Sequence, residues 1–125
     1  ERYRRRAEKW VDRMGVIDVG LVALLDSASD SDAVALYDQG QDMQEIGEQA
    51  AGLVAQIHAS EVPVAVVGLR EQALTAAEAY LAAAEMTARW LSAPSEAGRR
   101  EALTALREAR ALRVELEGSQ WLRQN

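Results

Sequence analysis

A chain of 125 residues with 49% hydrophobic and 27% charged positions has the composition of one globular domain, which excludes a disordered or fibrous segment. Without cysteine there is no thiolate for catalysis, disulfides or metal binding, and the single histidine, His58, leaves too few nitrogens for a zinc, haem or facial-triad centre. A net charge of −6 repels phosphate backbones, so no nucleic-acid partner is expected, and only the basic amino-terminal stretch could touch one.

Charge is segregated along the chain. Residues 1–13 carry six bases against three acids, residues 14–69 carry nine acids and no lysine or arginine, and residues 70–125 carry eight of each. Four segments have helical periodicity, separated by short breaks at Ser27–Ser31, Ala59–Pro63 and Ser92–Ser95. Breaks this short force antiparallel neighbours, and segments of this length are roughly 40–45 Å long at 1.5 Å per residue. The expected fold is all-α, an elongated antiparallel up-down-up-down four-helix bundle over residues 1–125.

In the first helix Tyr3, Ala7, Trp10, Met14, Ile17, Leu21, Leu24 and Ala28 recur in steps of four and three, forming one apolar seam. The following turn holds Asp26, Asp30 and Asp32 among serines. A calcium loop needs a glycine turn and a downstream bidentate glutamate, both missing here, so Ser29 and Asp32 are read as a capping box for the second helix. That helix repeats the steps with Ala33, Leu36, Gly40, Met43, Gly47, Ala50, Val54 and Ile57, and Ile46 and Leu53 widen the stripe. Gly40 and Gly47, one heptad apart, each cost up to about 1 kcal/mol relative to alanine. Either a neighbouring element packs closely on them or they line a ligand cavity. Asp38, Asp42 and Glu45 share a solvated acidic face that suits a basic partner.

Ser60 is expected to cap the third helix, with Pro63 in its first turn. Here the polar residues form the narrow stripe: Glu71, Thr75, Glu78, Glu85, Arg89 and Ser92, with Ala82 completing it. So wide an apolar remainder needs a cover, and a second copy of the chain docking near Ala76 and Ala83 would supply one. Pro94 or Ser95 opens the fourth helix, an amphipathic surface helix with Ala102, Ala105, Leu106, Ala109, Leu112 and Leu116 inward and Arg100, Arg107 and Arg110 along one flank. In the antiparallel arrangement Trp10, His58 and Trp121 share one end, as a plug or a ligand-gripping pocket, and Trp90 and Tyr37 close the other.

No Glu-x-x-His pair supports a di-metal centre, although Glu45 and Glu48 have the spacing of its first half. No nucleophile elbow or phosphate loop is present. No cofactor and no metal are expected. The chain reads as a non-enzymatic helical-bundle interaction or oligomerisation domain, with a protein partner or a homodimer. The alternative is a small-ligand sensor or carrier bundle with a pocket near Gly40 and Gly47 or at the His58 end. No segment has the roughly 18 uninterrupted apolar residues of a membrane span. Both termini leave the bundle at one end, as in a domain tethered from outside these residues. Were a span to precede Glu1, Arg2, Arg4, Arg5 and Arg6 would favour the cytoplasmic side.

Overall fold

The computed structural model describes residues 2–27, 33–119, 121 and 122. Helices α1 (Arg2–Ser27), α2 (Ala33–Ala59), α3 (Val67–Ser92) and α4 (Glu96–Glu117) form an elongated antiparallel up-down-up-down bundle, with no strand among the described residues. The capping box proposed at Ser29 and Asp32, with Asp30, lies outside the described residues.

The breaks follow local chemistry. Ser95 accepts a hydrogen bond from Gly98 N at 2.9 Å, satisfying one of the free donors that open α4. The start of α3 differs from the expected one. Pro63 holds the extended backbone (φ −60°, ψ 153°), and the chain then tightens into a 3-10 turn, Val64–Val66, before α3 begins at Val67. Ser60 faces backwards: its hydroxyl donates to Gln56 O at 2.9 Å, within the last turn of α2.

Residues 14–69 contain no lysine or arginine, and the carbonyl ends of α1 and α2 take guanidinium donors from other helices. Arg99, in the first turn of α4, donates through Nε and Nη2 to Leu25 O at 3.3 and 3.1 Å. Arg70, on α3, donates to Ser60 O at 3.2 Å and to His58 O at 3.5 Å, closing the end of α2.

In α1 the buried face is the one the spacing gives, from Ala7 and Trp10 through Met14, Ile17 and Leu21 to Leu24. In α2 the face is turned by one residue. Gln39, Met43, Ile46, Ala50, Leu53 and Ile57 are inside, whereas Gly40 is exposed and Gly47 half-buried. Burying isoleucine and leucine removes far more apolar area from water than burying two glycines, and this sets the rotation. Helix α3 packs against all three other helices, most extensively against α4. Its polar stripe faces solvent, while Leu69, Ala73, Ala76, Ala77, Tyr80, Ala83, Ala84 and Trp90 are buried. The buried hydroxyl of Thr87 donates to Ala83 O at 2.8 Å, which satisfies it within the helix.

Side chains do approach glycine closely, at positions other than Gly40 and Gly47. A Cβ at Gly20 would stand 2.6 Å from Ile46 Cδ1, where α1 meets α2. One at Gly68 would stand 2.6 Å from Cη2 of Trp121, whose indole lies on the first turn of α3. At Gly40 and Gly47 an added Cβ meets nothing within 4 Å. Alanine at either of these two positions should therefore raise stability by about 0.5–1 kcal/mol in urea denaturation. Gly20→Leu should lower it by about 1–3 kcal/mol through overpacking against Ile46.

Candidate functional site

The most distinctive side-chain constellation is a buried carboxylate. Asp18 follows Ile17 on α1, four residues after Met14 and three before Leu21, which places it at the edge of the apolar seam with 5% of its surface exposed. A buried carboxylate costs several kcal/mol unless it is paired and hydrogen-bonded. Three side chains from two other helices meet this requirement. Arg110 of α4 donates from Nη2 to Oδ1 at 2.7 Å and from Nε to Oδ2 at 3.1 Å, a two-pronged pair. Tyr80 of α3 donates its hydroxyl to Oδ2 at 2.7 Å, and Arg113 Nη1 stands 3.8 Å from the same oxygen.

Burial pushes the Asp18 carboxyl up. The hydrogen bonds from Arg110 and Tyr80, followed by the charges of Arg110 and Arg113, outweigh it and hold the group below the usual aspartate range. Burial and acceptance by Asp18 both push the Tyr80 phenol up from its ordinary value of 10.0. Three hydrogen bonds on its two oxygens tie this carboxylate to α3 and α4, so that it joins α1 to both. Sequence reasoning set Arg110 on a solvated flank and passed over Asp18. The available signal was an acid in register with a leucine-rich seam, together with one tyrosine inside an alanine-rich helix.

The bundle end carrying the termini brings together other expected residues. Arg4 donates to Leu122 O at 3.5 Å, tying the start of α1 to the carboxy-terminal turn. Trp10 is 2% exposed, and Trp121 is half-buried over Gly68. His58 is exposed at the end of α2, so its imidazole is no part of a buried aromatic plug. At the opposite end Trp90 is buried, but Tyr37 is 67% exposed and closes nothing.

The docking role expected of Ala76 and Ala83 is corrected by their burial. Both have 0% exposure because α1, α2 and α4 already cover the apolar sides of α3, so a partner copy cannot reach them in the folded chain.

Two grooves flank the first half of α2. One of about 390 Å³, between α2 and the end of α3, is lined by Gly40, Met43, Ala88, Trp90, Leu91 and Pro94, among others. The other, of about 280 Å³, lies between α1 and α2 beside Val16, Gly20, Ala23, Asp42, Glu45 and Ile46. A third hollow of about 540 Å³ lies further along the same pair of helices, among Arg2, Arg5, Arg6, Lys9 and Gln56. Val16 and Val19, on the outer side of α1, are 60% and 70% exposed. No described helix is long and apolar enough to cross a membrane, and among the described residues no three histidine, aspartate or glutamate side chains cluster as a metal site. In comparison with known proteins the chain matches no family model, no curated protein and no solved structure.

The Asp18 network should dominate stability. Removing one partner strands the others, so Asp18→Ala should cost about 2–4 kcal/mol and Tyr80→Phe roughly 1.5 kcal/mol by urea denaturation. The Asp18 pKa is lower in the fold than in the unfolded chain, so its contribution is complete above the ordinary value of about 3.9 and is lost as pH falls through the lower folded value. The stability gap between wild type and Asp18→Asn should therefore hold steady from about pH 5 to about pH 8 and narrow below about pH 4. Tyr80, raised from 10.0, has the opposite sense: its contribution should be lost as pH climbs above that value, and Tyr80→Phe should lessen the alkaline loss.

Proposed function

We propose that this chain is a non-enzymatic interaction domain that docks a partner on the outer face of α1 and α2. The observation that carries the reading is the pair of exposed valines, Val16 and Val19, beside the groove along Gly20 and Ile46. Apolar side chains next to a concave strip are the usual form of a docking surface, and the apolar flanks of α3 are already covered within the chain. The pairing of Asp18 within the bundle supports the non-enzymatic half, since it is the one buried carboxylate among the described residues. A photo-crosslinking residue placed at Val19 in the protein expressed in its own cells should give a covalent adduct of higher mass, whereas the same residue at Arg107, exposed on α4, should give none. Equal or absent adducts at the two positions reject this face.

A second reading, a bundle that holds a small apolar ligand, is favoured by the groove beside Gly40 and Trp90. On that reading 1-anilinonaphthalene-8-sulfonate, used as the probe, should quench Trp90 fluorescence, and Gly40→Leu should abolish the quenching by filling the groove.

A further inference from the structure

We infer that the partner on the α1–α2 face is a second copy of this chain, related by a two-fold axis through Val16 and Val19; this rests on the docking face proposed above. The outer side of α1 carries a second seam in steps of four and three: Arg5, Lys9, Asp12, Val16, Val19, Ala23 and Asp26, every one of them exposed. Its charge changes sign along its length. The amino-terminal end holds Arg5 and Lys9, beside the hollow that Arg2 and Arg6 also line. The carboxy-terminal end holds Asp26, and between that end and the valines, Asp42 and Glu45 of α2 stand across the groove beside Gly20 and Ala23. Arg5, Lys9, Asp42 and Glu45 take part in no ion pair among the described residues, and only Asp26 has a cation nearby, Arg99 at 3.8 Å.

Two such faces laid antiparallel satisfy each other twice. The basic end of each copy meets the acidic end of the other, and the valines of both meet at the axis, as an isologous contact requires. Parallel stacking would instead set like charges together. A helix of 26 residues is about 39 Å long, enough for a contact at the small end of stable interfaces, so association in the micromolar range is expected.

Sedimentation equilibrium of the purified chain up to about 100 µM tests this, with three variants checked for unchanged helicity. Wild type should reach dimer mass, and Val19→Glu should remain monomeric. Arg5→Glu/Lys9→Glu and Asp42→Lys/Glu45→Lys should each dimerise at least tenfold more weakly, because both contacts become repulsive. Mixing these two charge-reversed variants should restore dimer mass, since each mixed pair regains both attractive contacts. A monomeric wild type, a dimer insensitive to Val19→Glu, or a mixture no tighter than its components overturns the inference. A monomeric chain whose Val19 crosslinks to a different protein overturns the two-fold dimer while leaving the docking face in place.

Discussion

A carboxylate held almost out of water governs the arrangement of this bundle. Asp18 can remain ionised at 5% exposure only because Tyr80, Arg110 and Arg113 approach it from two other helices. Apolar residues would have filled the same volume with no demand on orientation. The charged group makes the demand: α3 must present its tyrosine and α4 its arginines at one height, which fixes the axial register of three helices. The alanines of α3 belong to the same solution. Small side chains at Ala73, Ala76, Ala77, Ala83 and Ala84 let neighbouring backbones come close enough for Tyr80 to span to α1.

The segregation of charge along the sequence acquires a structural meaning. The stretch without lysine or arginine contains Asp18 and the carbonyl ends of α1 and α2, all of which favour cations. Each receives them from the second half of the chain, through Arg110 and Arg113, Arg99 and Arg70 respectively. The halves are thus electrostatically complementary inside the molecule. Two of the acids that this internal pairing leaves over, Asp42 and Glu45, line the groove between α1 and α2.

Helix number, order and breaks were legible because steps of three and four survive in sequence wherever one face is buried, as along Trp10, Met14, Ile17 and Leu21. The polar stripe of α3 was readable for the same reason, but what covered its other sides was not, since that depends on how closely alanine permits neighbours to approach. The rotation of α2 escaped because apolar residues fall on two adjacent stripes, one with Gly40 and Gly47 and one with Ile46 and Leu53, and only the partner's shape chooses between them. Of the two roles glycine can have, close packing falls elsewhere, while Gly40 lines a groove. The close approaches are at Gly20 and Gly68, and they depend on Ile46 and Trp121, residues 26 and 53 positions distant. Asp18 was invisible for a related reason: its partners lie 62 and 92 positions away, and a pairing over such distances leaves no local pattern.

That separation bears on how the chain becomes dry inside. During synthesis the carboxylate of Asp18 emerges long before the guanidinium that neutralises it, and until α4 is complete the cheapest place for that charge is in water. An α1–α2 hairpin can form early from neighbouring contacts, but the middle of α1 must stay hydrated while it waits. Arg110 therefore acts as a closing fastener, and the core is sealed only when the fourth of these helices has been made. A nascent chain cut short before α4 would keep its central charge wet and leave its alanine-rich helix bare on the side that α4 covers.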